Sequence, residues 1–232
     1  MKPILFSTPM VKAILAGHKS QTRRVVKFSK GLSPTWSGYT PDGAVLYGSN
    51  NVPAAKAPYK PGDILWVRET WRIGAWNVDG CIAVDYKADG TVRREWLMVD
   101  DEEQFEKYWI QSSEDAKKAG LSTDDNGEYH WDPGEAPTRW RPSIFMPREA
   151  SRLYLKVTDV RAKRVQDIIG DQCAAEGIAL YSGPVGKRED YYRGEFLKLW
   201  DNLNAKRGFS WSANPWVWVI SFEKTEKPEV ET

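Results

Sequence analysis

The chain has 232 residues, with 33 Lys and Arg against 32 Asp and Glu, so its formal net charge of +1 selects no partner by itself. A hydrophobic fraction of 41%, with twelve Trp, ten Tyr and seven Phe, is ample for the core of one large domain. No apolar run approaches the roughly 18 residues of a membrane span, and Cys81 and Cys173, far apart and outside any C-x-x-C spacing, exclude a disulfide framework and a zinc site.

The charge is divided along the chain. Residues 72–138 hold 7 Lys and Arg against 16 Asp and Glu, a net of −9, and the remainder carries +10. An acidic block sits in a basic frame, and a basic frame suits nucleic acid or a nucleotide. The start, "MKPILFSTPM", has a short apolar patch with no small-residue cleavage site behind it, so the cytoplasm is the expected location and no membrane partner is expected.

In chain order, "PILFSTP" reads as a strand ending at Ser7 and Thr8. "STPMVKAILAG" reads as a helix, with Ser7 or Thr8 as N-cap, Pro9 at the first helical position and Gly17 as the stop. Met10, Ile14 and Leu15 are expected on its core face. "HKSQTRRVV" is extended. Residues 28–58, rich in Gly, Ser, Pro, Ala and Asn, read as a long irregular loop carrying a hairpin turned at Asp42-Gly43. After the Pro61-Gly62-Asp63 turn, Ile64–Val67 is a buried strand, with Arg68, Glu69 and Thr70 at its end, where binding residues collect.

The acidic block holds a hairpin around Asp89-Gly90, a helix over "DEEQFEKYWIQSSEDAKKAG" and a turn-rich loop. "SRLYLKVTDVRAKRVQDI" is the clearest strand, with Leu153, Leu155 and Val157 alternating with polar neighbours. "DQCAAEGI" is a short helix stopped by Gly177. "YYRGEFLKLWDNLNAKRG" is an amphipathic helix with Tyr192, Phe196, Leu199 and Leu203 on one stripe, and "NPWVWVISFEKTE" is a last strand. Few helices among strands of mixed length favour an α+β domain on a small barrel-like sheet over a doubly wound one.

"ILAGHKSQTRR", "KPGDILWV", "LYLKVTDVRAKRVQDI…CAAEGI" and "WVWVISFE", in that order, resemble an ASCH domain. The resemblance covers core segments 1–27, 59–70, 150–178 and 214–223 and leaves 28–58, 72–148 and 179–213 as insertions in a single domain. It implies an α+β, PUA-like fold, a small mixed β-barrel with flanking helices and a large acidic insertion. "WVRETW", "WRPSIFMPR" and "NPWVWVISFE" further resemble a longer branch common in bacteriophage and prophage genomes, which implies action in a bacterial cytoplasm.

The resemblance implies RNA or nucleoside binding. One bacterial branch similar to this core hydrolyses N4-acetylcytidine, and its working Lys, Thr and Glu match Lys19, Thr22 and Glu176 here. Amide hydrolysis needs a nucleophile, a proton acceptor and a holder of the developing oxyanion. Thr22 Oγ or a water would attack, neutral Lys19 would take the proton, and Glu176 would orient Lys19 or protonate the leaving nitrogen. Arg23, Arg24 or backbone N–H groups near Gly17 would hold the oxyanion. Lys19 acts as a base only if burial and like charge outweigh Glu176. In a regular strand positions 19 and 22 point to opposite faces, so their convergence demands a turn or bulge at Ser20-Gln21.

Glu69 and Thr70 at a strand end are further candidates for lining the site, Trp66 or Trp71 for stacking on a base, and Arg141 or Arg148 in "WRPSIFMPR" for holding a phosphate. No cofactor and no metal site is expected, His18 and His130 standing alone in the sequence. Two other functions remain open: a non-catalytic RNA or modified-base module, and a metal-independent ribonuclease using Lys19 with Ser20 or Tyr59.

Overall fold

The computed structural model describes residues 1–28, 34–40, 43–48, 53–77 and 79–228. The order is β1 (Lys2–Leu5), α1 (Thr8–Leu15), β2 (Gln21–Val25), β3 (Pro34–Thr40), β4 (Gly43–Gly48), β5 (Pro53–Lys56), β6 (Ile64–Arg68), β7 (Trp71–Trp76), β8 (Cys81–Tyr86), β9 (Val92–Met98), α2 (Glu102–Lys118), β10 (Tyr154–Arg164), α3 (Gly170–Ala175), α4 (Arg188–Asn204) and β11 (Trp216–Thr225). The strands form three sheets, ordered β1-β6-β10-β11-β2, β3-β4-β5 and β7-β8-β9. This is a mixed α+β architecture. Among the described residues the sheets stay open rather than closing into the expected barrel. The sheet order ends at β2, and just before it Ser20 N–H donates to Ala175 O, at the end of α3, at 2.9 Å. No helix among the described residues is long and apolar enough to cross a membrane.

The chain divides into two compact units. The first comprises Met1–Lys2, Ala13–Leu65 and Leu153–Thr232, the second Pro3–Lys12 and Trp66–Arg152. The acidic insertion expected over 72–148 falls wholly in the second.

In the first unit β11 is central. It pairs antiparallel with β10 on one side and with β2 on the other, and a register shift between Val157 and Asp159 interrupts the alternation of β10. Val217 and Val219 project from β11 onto α3 and α4 and close a core with Val165, Ile168, Cys173, Tyr192, Phe196 and Trp200. The buried stripe of α4 is Tyr192, Phe196, Trp200 and Asn204. The expected stripe is right for its first two members and then follows i+4 steps to Trp200 and Asn204. Leu203 is 45% exposed. The reason is local. Trp200 Nε1 donates to Phe209 O at 2.8 Å, and Asn204 Nδ2 to Trp200 O, so the polar ends of both are satisfied inside.

The stretch expected as an irregular loop over 28–58 instead contributes β3, β4 and β5. Ala44, Val45 and Leu46 are buried, and β4 packs against β10. The composition hid this because small residues and Pro also read as loop. The expected turn residue Asp42 lies outside the described residues, while Thr40 and Gly43 close the hairpin.

In the second unit β7 and β8 carry a core of Trp71, Ile73, Ile82, Val84, Tyr86, Met146 and Ala150. Asp101 caps α2 by accepting from Gln104 N–H at 3.1 Å. The Asp89-Gly90 turn forms as expected, with Gly90 at φ 73°. On α1, Val11 and Ile14 are the buried positions, while Met10 and Leu15 are half-buried. Cys81 and Cys173 are free and buried.

Candidate functional site

Two glycine-terminated helix ends deliver the central pair. At the end of α1, Gly17 N–H donates to Ile14 O and His18 N–H to Ala13 O, with Gly17 at φ 74°. At the end of α3, Gly177 N–H donates to Ala174 O and Ile178 N–H to Cys173 O, with Gly177 at φ 90°. Both are Schellman turns, in which a left-handed residue lets the last carbonyls be satisfied. The first releases the chain into Lys19. The second throws Glu176 back across the edge of β2, where Lys19 and Glu176 form an antiparallel bridge.

The side chains repeat that pairing. Lys19 Nζ donates to Glu176 Oε2 at 2.8 Å, to Glu176 O at 2.7 Å and to Gln21 O at 2.8 Å. An ammonium has three N–H donors, and here three acceptors surround it. Arg23 Nη1 donates to the other carboxylate oxygen, Glu176 Oε1, at 2.9 Å and to Gln21 Oε1, while its Nη2 donates to Gln172 Oε1 at 2.6 Å. The guanidinium lies over the Phe196 ring, 5.7 Å from its centre. The side chains of Lys19, Arg23 and Glu176 are 0%, 2% and 4% exposed.

Burial pushes the Lys19 ammonium below its ordinary range. Glu176 opposes this, and the charges of Arg24 and Arg23 reinforce it. Burial therefore prevails over the carboxylate, the balance that the sequence left open. Burial lowers Arg24 as well, with Tyr59 and Glu176 opposing and Arg207 adding to it. Tyr59 is raised by burial, against the pull of Arg24. Lys19 and Arg23 thus share the Glu176 carboxylate, one on each oxygen.

The register of β2 decides where Thr22 goes. Its pairing with β11 runs unbroken from Gln21↔Ser221 to Val25↔Val217. Arg23 is opposite Val219 and shares the α4 face with it, whereas Thr22 is opposite Ile220 and Arg24 opposite Trp218, on the other face. No bulge turns Thr22, which is 2% exposed, onto the face of Arg23. Ser20, proposed with Lys19 for ribonuclease chemistry, is exposed.

The remaining candidates lie in the second unit. Glu69 is 1% exposed and accepts two bonds from Arg152, at 2.9 and 3.0 Å. Trp71 is fully enclosed, and its backbone pairs with Arg141. Arg141 donates to Gln111 Oε1 at 3.0 Å and lies over the rings of Tyr108 and Trp71. Arg148 is exposed.

Sequence reading missed Gln21 and Gln172, which hold Arg23. The signal for Gln21 was available, since positions 19, 21 and 23 share one face of an extended chain. It also left His130 alone. In the fold His130 Nε2 lies 2.8 Å from Asp124 Oδ2, and Asp124, Glu128 and His130 bring one potential ligand atom each within 4.8 Å of one another, all exposed.

No family model, no curated protein and no solved structure matches this chain.

Proposed function

We propose that the chain acts on a nucleoside or RNA in the cytoplasm, on a PUA-like, ASCH-type core, and that its reaction is hydrolysis of an N4-acylated cytidine. The observation that carries this reading is the buried Lys19–Glu176 pair, flanked by Arg23 and Arg24, in which burial favours the neutral amine. Neutral Lys19 takes a proton from water as its oxygen bonds to the acyl carbon. The amide C–N bond then breaks, the proton passes to the cytosine nitrogen, and carboxylate and amine leave. Glu176 holds the ammonium formed in between, and Arg23, on the face of β2 that carries Glu176, faces the oxyanion. Water rather than Thr22 Oγ is the nucleophile in this scheme, because Thr22 stands on the opposite face of β2 from Arg23.

A second reading is favoured by a different observation. The three acceptors around Lys19 and its lack of exposed surface suit a structural ammonium in a binding module. The experiment that separates them follows cytidine release from N4-acetylcytidine by chromatography, for wild type and for Lys19→Met and Glu176→Gln, with circular dichroism as the folding control. Turnover lost in the folded variants is the expected result. A folded wild type without turnover that shifts RNA in a gel would establish the binding module instead.

A further inference from the structure

The second unit contains a cavity of about 830 Å³ between β7, α2 and the loop after α2, within the size range of small-molecule sites. Trp76 and Trp131 form one corner, their ring centres 5.2 Å apart and tilted by 57°. Trp131 is pinned there by its Nε1 donating to Gly74 O at 2.7 Å. Phe105 and Trp109, one helical turn apart on α2, and Tyr129 supply further aromatic wall. Trp109 is 49% exposed, so the site opens to solvent on that side.

The polar lining is as selective as the apolar one. Among the described residues no Lys or Arg contributes to it, the one carboxylate is Glu128, and His130 lies beside it. That carboxylate is held in a braced loop: Asp124 Oδ1 accepts from Asn126 N–H and Glu128 N–H, both at 2.9 Å, and Thr123 bridges to Tyr129. The surrounding segment, 72–138, carries a net −9. Aromatic faces present negative potential, and a carboxylate beside them adds to it. A phosphate or carboxylate ligand would find no Lys or Arg among the described lining residues, the His130 ring nitrogen already taken by Asp124, and a repelling field.

We propose that this cavity is a binding site for a small organic ammonium ion, held by cation–π contact with Trp76, Trp109 and Trp131 and by the charge of Glu128. The site is independent of the Lys19–Glu176 pair and of the hydrolase reading.

The test compares choline with its neutral carbon isostere, 3,3-dimethylbutan-1-ol, titrated into the full chain while tryptophan fluorescence is followed. EDTA is present so that no metal at Asp124, Glu128 and His130 contributes. Choline is expected to saturate, with the isostere at least tenfold weaker, and Glu128→Gln is expected to weaken choline several-fold without changing the isostere. Trp109→Ala, an exposed position on α2, is expected to weaken choline as well. If the Trp109 variant fails to fold, the choline–isostere ratio and Glu128→Gln still decide. Equal affinity for the two probes would make the cavity a merely apolar pocket and overturn the proposal, as would the absence of saturation by choline.

Discussion

Lys19 and Glu176 meet twice, 157 positions apart in sequence: their backbones form an antiparallel bridge and their side chains an ion pair of 2.8 Å. Arg23 completes the carboxylate on its other oxygen.

Breaking this network strands a buried charge. Glu176→Gln leaves Lys19 and Arg23 facing an amide, and the expected loss is about 3–5 kcal/mol, read from the shift of the urea unfolding midpoint. A loss below about 1 kcal/mol would mean that water reaches the pair and screens it.

Lys19 makes stability depend on pH with an unusual sign. Its folded pKa lies below the ordinary 10.5, chiefly through burial. Between the folded value and 10.5 the unfolded chain binds more protons, so the Lys19 contribution grows as pH rises through that interval. The stability difference between wild type and Lys19→Met is therefore expected to move in favour of wild type as pH increases toward 10.5. A difference constant with pH would show that Lys19 titrates normally.

Gly177 tolerates no side chain. At φ 90° an added Cβ would lie 3.0 Å from Ala13 Cβ and 3.3 Å from Lys19 Cβ. Gly177→Ala is expected to cost more than about 1 kcal/mol, whereas Gly186→Ala, with nothing within 4 Å, should be nearly neutral. Paired thermal melts of the two variants provide the check.

The two candidate stripes on α4 are separable by truncation. Trp200→Ala removes a core ring and should cost about 3–5 kcal/mol. Leu203→Ala, at an exposed position, should stay within about 0.5 kcal/mol. Comparable losses from the two, measured by denaturant unfolding, would return the sequence-derived stripe.

Asp89 gives the second unit an acid limb. Partial burial works to raise it, yet hydrogen bonds from Arg152 and Thr91 outweigh this and hold it at about 2, below its ordinary 3.8. Its contribution is complete above 3.8 and is lost as pH falls toward 2. Asp89→Asn is expected to flatten the fall in stability across that interval, seen in acid titrations followed by circular dichroism.

The strand and helix stops were legible because they are local chemistry. Gly17 and Gly177 mark helix ends through backbone freedom alone, and Asp89-Gly90 marks its turn in the same way. Lys19 and Glu176 were singled out by the resemblance of their segments to an ASCH core, and Arg23 as an oxyanion holder beside them. The β3–β4 hairpin was legible at its turn, but the third strand β5 and the burial of β4 against β10 were not, since small residues and Pro also read as loop.

The sequence by itself determined an α+β chain with an acidic block and its main strands and helices, while the Lys19–Glu176 pair was expected only through a resemblance. Tertiary structure alone decided that the sheets stay open among the described residues, that Trp200 rather than Leu203 faces the core, and that Thr22 stands across β2 from Arg23. It also decided that burial outweighs Glu176 at Lys19, and that a tryptophan-walled cavity forms within the acidic block. The physical reason is range. Helix stops and turns depend on a few neighbouring residues, whereas strand register, desolvation and cavities depend on groups far apart in the chain that only the fold brings into contact.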